Sequence, residues 1–291
     1  MIDDILAKFD GAFAQNTIRA YRADFIQFEL WCKAHGKSAL PTDAETLAAH
    51  VTDMASSKKS ATIRRRINSL CTIFKLSGNP NPTSSPEVLL ALKRMHRKIG
   101  RHQHQATPLT QSVMEKLLTV CDETNRGLRN RVLLLLGHET MRRRSELCNF
   151  RFEDVGLTPL GQPYIWMRFS KTDQFGVGKK IPISETLNQL IQTWQNRVGT
   201  PEGYILRSVD RDQRIGEKLE PHSINYNLQK LQAAALPEKQ LSDFRLSGHS
   251  FRVGTAIDLL TSGTPMEKIM LKGGWKTEST ALRYLREWNE I

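Results

Sequence analysis

The chain has 291 residues, enough for about two domains of ordinary size. Its 42 Lys and Arg against 30 Asp and Glu leave a formal charge of +12, while 39% hydrophobic residues can supply packed cores, which excludes a disordered basic tail. No apolar run is longer than that of Val132 to Leu136, far below the roughly 20 residues of a membrane span, and no secretory signal is visible at the start, so a cytoplasmic setting without a membrane is expected.

Ile18, Tyr21, Phe25, Phe28 and Cys32 recur at helical spacing, and Gly36 follows as a stop. Pro41-Thr42 precedes a shorter helix over Ala44 to Ala55. Ile63, Ile67, Leu70 and Phe74 make a third stripe, closed by Ser77-Gly78-Asn79-Pro80. Val88, Leu92, Met95 and Ile99 make a fourth, opened by Ser85-Pro86-Glu87. Residues 58–101 hold eleven Lys or Arg and a single acid, Glu87, so ten of the twelve net charges lie there. Arg64, Arg65 and Arg66 sit on the third helix. Lys93, Arg94, Arg97 and Lys98 lie on the fourth, away from its apolar stripe. Such a concentration is the pattern of a face that tracks phosphates.

Arg101 to Pro108 is polar, lacks apolar periodicity and is expected to be a linker. Its His102 and His104 have no further ligands nearby, and no metal site is expected. The four cysteines, Cys32, Cys71, Cys121 and Cys148, lie far apart, without the pairing of a disulfide framework or zinc site.

Beyond the linker, helices are expected over Leu109 to Cys121 and Asn130 to Phe150. Tyr164 to Phe169 alternates as a strand and Lys180 to Ile183 is a second, with turn residues from Asp173 to Gly178 between them. Helices are read over Glu185 to Val198, His222 to Ala235, Gly254 to Ser262, Met266 to Lys272 and Ser279 to Trp288. The fold class is mostly α, with a small antiparallel β-sheet in the second domain. The expected division is a helical domain over residues 1–100, a linker over 101–108 and a second domain over 109–291.

Several groups in the second domain could carry chemistry. Arg142, Arg143 and Arg144 fall in the middle of a helical pattern, and Glu146 shares a helix face with Arg143. His249 and Arg252 stand three apart, a proton-transfer group beside a clamp for phosphate oxygens. Gly273-Gly274 is a tight turn feeding the indole N–H of Trp275, and Tyr284 comes nine residues later. Lys171 opens the hairpin turn. Each signal alone is ordinary: a basic turn, a structural histidine, a core tyrosine, an exposed lysine.

Their order and spacing together resemble the tyrosine recombinase (phage integrase) family, and within it the Cre-like members. The resemblance rests on Thr140-x-x-Arg143-x-Ser145-Glu146-Leu147, a hairpin lysine, Ser247-Gly248-His249-Ser250 with Arg252-Val253-Gly254, and Gly273-Gly274-Trp275 with Tyr284. It covers the whole second domain, whereas the first fits only as a helical core-binding domain. It implies that Tyr284 is the nucleophile on a scissile DNA phosphate, leaving a 3′-phosphotyrosyl bond and a free 5′-hydroxyl. Arg143 and Arg252 then hold the non-bridging oxygens, and His249 serves proton transfer and phosphate contact. Trp275 takes a position that is His in many relatives, Lys171 protonates the leaving oxygen, and Glu146 supports the site. Lys179 and Lys180 across the hairpin are alternatives to Lys171.

Preorganised cations suit a crowded phosphorane without a metal, and a covalent tyrosine conserves bond energy for religation, so no metal, ATP or other cofactor is implied. The implied partner is double-stranded DNA with a specific site, bound by a homotetramer on two duplexes and by monomers or weak associates otherwise. Seven residues come after Tyr284, so no further helix that docks into a neighbouring subunit is expected. A topoisomerase of type IB character and a non-catalytic DNA-binding regulator are the competing readings. Relaxation of plasmid lacking any specific site marks the first, and gel shifts without a covalent complex mark the second.

Overall fold

The computed structural model describes residues 2–102, 105–168, 178–236 and 244–285. The chain divides into two compact units, Met1–His104 and Gln105–Ile291. Among the described residues, no helix is long and apolar enough to cross a membrane.

The first unit is helical: α1 (Ile2–Ala7), α2 (Gln15–Ala34), α3 (Ala44–Met54), α4 (Ser60–Leu76) and α5 (Pro86–Ile99). Local chemistry sets several of the starts. Asp43 accepts the Thr46 amide at 2.6 Å to cap α3. Ser85 caps α5, whose first position is Pro86, where a missing N–H costs nothing. Phe25, Phe28, Leu47, Ile63, Leu70, Phe74, Val88 and Met95 form the shared core. The helix α1 is invisible to periodicity, since six residues are too few to show a period.

The second unit begins with α6 (Gln111–Thr119), α7 (Asn125–Thr140) and α8 (Arg144–Leu147). A single helix over Asn130 to Phe150 is therefore corrected. Met141 turns left-handed at φ 54°, and its carbonyl accepts Arg252 Nη1 at 2.5 Å instead of continuing the helix. Arg142 and Arg143 lie outside any helix, and Arg143 is the N-cap of α8.

Three antiparallel strands come next in the order β1 (Val155–Leu157), β2 (Pro163–Met167) and β3 (Lys179–Pro182). Val155 pairs with Ile165, and Ile165 with Ile181, so Ile165, Met167 and Ile181 bury one face. The strand β1 has no signature in the sequence; three residues around Gly156 carry no alternation. Then come α9 (Glu185–Val198), α10 (Pro221–Ala235), α11 (Ser250–Thr261), α12 (Met266–Gly273) and α13 (Glu278–Leu282). The main core joins Leu133, Leu134, Leu147, Ile165, Leu187, Trp194 and Phe251. A separate small cluster of Met141, Val253, Ala256, Ile257, Ile269, Trp275, Ala281 and Leu285 supports the last three helices.

Candidate active site

Six of the seven candidate residues of the second unit converge on that small cluster. Lys171 lies outside the described residues, as does the hairpin turn around it.

Arg252, in the first turn of α11, has 0% of its surface exposed. Its Nη1 donates to the Met141 carbonyl, and Nη2 donates to the Gly273 carbonyl at 2.9 Å. The guanidinium carbon stands 5.0 Å from the centre of the Trp275 ring and 5.5 Å from that of Tyr284. Burial pulls its pKa down, and the neighbouring Tyr284 hydroxyl partly offsets this. Its Nε is buried without a hydrogen-bond partner among the described residues.

Trp275 Nε1 at the same site is also buried without a partner among the described residues. Local chain geometry puts the indole there. Gly274 adopts φ 64°, which ends α12, and a Cβ on Gly273 would stand 2.5 Å from the Trp275 ring. One glycine supplies the left-handed turn and the other the room for the ring. The Trp275 and Tyr284 rings pack with centres 4.7 Å apart and planes tilted by 33°.

Tyr284 is half-buried just beyond α13, and its carbonyl accepts the side-chain amide of Gln105, at the start of the second unit. The His249 ring centre lies 6.2 Å from that of Tyr284. His249 remains exposed, yet desolvation, followed by the charges of Arg252, Arg143 and Arg144, holds its pKa below the ordinary value.

Arg143 and Glu146 pair as expected, but not as two residues on a helix face. The buried Glu146 folds back onto the start of α8, accepting the Arg143 amide at 2.9 Å and its Nη1 at 2.8 Å. The carboxylate thus caps the helix and aims the guanidinium. Arg142 beside Arg143 is turned to backbone oxygens instead: it is 4% exposed, with Nε donating to Thr140 O at 2.6 Å and Nη2 to the Lys272 carbonyl. Lys180 is exposed with its ammonium 4.5 Å above the Tyr164 ring.

The candidate DNA-contacting residues of the first unit separate into two groups. Lys93, Arg94, Arg97 and Lys98 are all exposed along α5. On α4, Arg64 is exposed and lines a groove with Tyr21, Asn68, Thr72 and Arg101. Arg65 instead holds both oxygens of the buried Asp24, one bond at 2.8 Å, with Ser69 donating to the same carboxylate at 2.7 Å. Arg66 is largely buried, with Nη1 3.8 Å from the Met54 sulfur. The charge of Arg65 is locally balanced, a tie that no helical period in the sequence announces.

The arrangement gathers cations, an imidazole and a phenol around two unsatisfied donors, which suits phosphoryl transfer onto a tyrosine. The chain belongs to the phage integrase family, whose profile matches residues 107–290. It is an enzyme of the tyrosine-type site-specific recombinase class. It is 29% identical over 293 residues to the integrase/recombinase XerD homolog of Selenomonas ruminantium, covering 97% of this chain and 84% of that protein. It is 23% identical over 291 residues to recombinase Cre of Escherichia phage P1, covering 94% and 85%. Among solved structures, the Tn1549 transposon integrase in complex with transposon right-end DNA shares the fold, with a TM-score of 0.69 over 97% of this chain and 94% of that one, at 14% identity. A lambda integrase dimer bound to a COC′ core site does likewise, with a TM-score of 0.67 over 97% and 92%, at 15% identity.

Proposed function

We propose that the protein cuts and rejoins double-stranded DNA at a specific site through a 3′-phosphotyrosyl intermediate on Tyr284. The observation that carries this reading is the pair of buried donors without acceptors, Arg252 Nε and Trp275 Nε1, beside the Tyr284 ring. An unmet buried donor costs about 1–3 kcal/mol, so an acceptor brought to either donor is favoured. Preorganised donors of this kind stabilise charge that develops only in the transition state.

In the proposed reaction the Tyr284 oxygen attacks phosphorus, and the bond to the 5′-oxygen breaks. The phenolic proton passes to a base, for which His249 is suited: its lowered pKa keeps it neutral near pH 7. Arg143, aimed by Glu146, shares the phosphorane charge with Arg252. The leaving 5′-oxygen takes its proton from the hairpin lysine, Lys171 by resemblance. Attack by a 5′-hydroxyl on the phosphotyrosine then reverses each step, so religation consumes neither ATP nor water, and the cations take the part a metal would play. A homotetramer on two duplexes, assembled from monomers or weak associates, completes the exchange through a Holliday junction. Residues 1–100 serve as the core-binding domain, 101–108 as linker and 109–291 as catalytic domain. The DNA complexes of the Tn1549 and lambda integrases support DNA as the partner.

The test uses a randomised library of nicked duplexes and captures covalent protein–DNA complex in detergent. Wild type is expected to yield a complex whose sequenced DNA reveals the target, and Tyr284→Phe to yield none while still shifting that duplex in a gel. A covalent complex formed by Tyr284→Phe would remove the nucleophile assignment.

A further inference from the structure

The end of α12 is held by three cationic side chains on three consecutive carbonyls. Lys179 Nζ, on β3, donates to Leu271 O at 2.9 Å. Arg142, between α7 and α8, donates to Lys272 O, and Arg252, on α11, donates to Gly273 O. Carbonyls in a last helical turn lack α-helical partners and carry the negative end of the helix dipole, so cations bind there favourably; Leu271 O also accepts the Gly274 amide at 3.3 Å. Immediately beyond these carbonyls lie the Gly274 turn and then Trp275, against which Tyr284 packs.

Only one of the three cations, Arg252, has a spare donor beside Tyr284. Arg142, 4% exposed, spends Nε and Nη2 on the Thr140 and Lys272 carbonyls. Its hydrogen bonds among the described residues go to backbone oxygens; burial and the nearby Arg252 push its pKa down to about 10, with Glu146 opposing. Lys179 is half-buried, and burial, with Arg142 adding to it, depresses its pKa as well. Two charges are thus kept at an electrostatic cost in a place where an apolar side chain would pack without one. Each of the two is tied to a carbonyl at the end of α12.

We propose that Arg142 and Lys179 are positioning residues for the Tyr284 reaction. By holding the Lys272 and Leu271 carbonyls they fix the last turn of α12, so that the Gly273-Gly274-Trp275 turn delivers the Trp275 indole, and through it the Tyr284 ring, to Arg252. The proposal rests on the reading of Tyr284 as nucleophile, and it gives Lys179 a structural partner distinct from the hairpin-lysine role.

The experiment compares the full chain with Arg142→Leu, Arg142→Lys and Lys179→Met. One readout is free of DNA: the nuclear magnetic resonance signal of the Trp275 indole N–H, assigned by its loss in Trp275→Phe. That signal is expected to move in Arg142→Leu and Lys179→Met and to lie near its wild-type position in Arg142→Lys, which retains a donor. The other readout is single-turnover covalent complex formation on the captured duplex at saturating protein, beside the Kd for that duplex. A misplacement of about 1 Å costs roughly 100-fold in rate, so slowing of about 10- to 100-fold is expected with the Kd within about twofold. An unmoved signal with an unchanged rate overturns the proposal. A Kd that weakens in step with the rate overturns it too, making these residues phosphate contacts. If Arg142→Leu fails to fold, Lys179→Met decides by the same measures. If wild type forms no covalent complex, the proposed function fails, and the indole signal still judges the positioning.

Discussion

Trp275→Phe separates a chemical role for the indole from a packing role, because the two make opposite demands on stability and rate. The phenyl ring keeps the face packed against Tyr284 but removes Nε1, a buried donor that bonds to nothing. Deleting an unsatisfied buried donor relieves about 1–3 kcal/mol. The smaller ring gives up apolar contact and leaves a small cavity, at about 1–2 kcal/mol. These nearly cancel, so the melting temperature is expected to stay within about 4 °C of wild type. The rate behaves differently. A donor aimed at developing phosphorane charge is worth on the order of 10- to 100-fold here, somewhat below a sole oxyanion-hole donor, because Arg143 and Arg252 share the charge. Calorimetry together with single-turnover covalent complex formation reads both quantities. Trp275→His, which restores a ring N–H, is expected to recover most of the rate. A Trp275→Phe protein that is several kcal/mol less stable yet cleaves at the wild-type rate would strip the indole of any chemical role and leave Trp275 as core.

Two further predictions concern the first unit. His50 is buried between Phe28 and Trp31, and burial first, then Arg66 and a smaller effect of His35, lower its pKa to about 4, with Asp53 opposing. The unfolded chain binds this proton below about pH 6.5 and the folded chain does not, so stability falls by up to about 3 kcal/mol as pH drops from 6.5 to 4. Denaturant unfolding at pH 7 and 4.5 should show that loss in wild type and little of it in His50→Phe; equal losses in both would discard His50 as the cause. Replacing Lys93, Arg94, Arg97 and Lys98 together by Gln should flatten the dependence of log K on log salt by about 3 to 4. An unchanged slope would remove α5 from the DNA-binding face.

Much of this fold is legible in the sequence because its helices are amphipathic and punctuated. The stripe Ile63, Ile67, Leu70 and Phe74 and the Ser85-Pro86 start each report a local cause, and local causes survive folding. The break at Met141 does not. Leucines and arginines there continue a helical pattern, and only the distant Arg252, taking the Met141 carbonyl, shows why the helix stops. The pairing of Arg143 with Glu146 is visible as a spacing, but its capping geometry comes from that same break. The site residues emerge through a family likeness of ordered motifs rather than through any physical signal of their own. Nothing along the chain couples Arg65 to Asp24 or Lys179 to Leu271, since both ties are long-range and each partner is a common surface type. Lys171 lies outside the described residues.

The three carbonyls at the end of α12 are reached from residues 92, 130 and 21 positions away in sequence. Contacts that close such long loops form late, after the local helices. A partly melted chain in which β3 or the α7–α8 corner has come away therefore has Tyr284 without its surroundings. For a protein proposed to break DNA, the cutting power of the phenol then depends on sheet, corner and helix having all met.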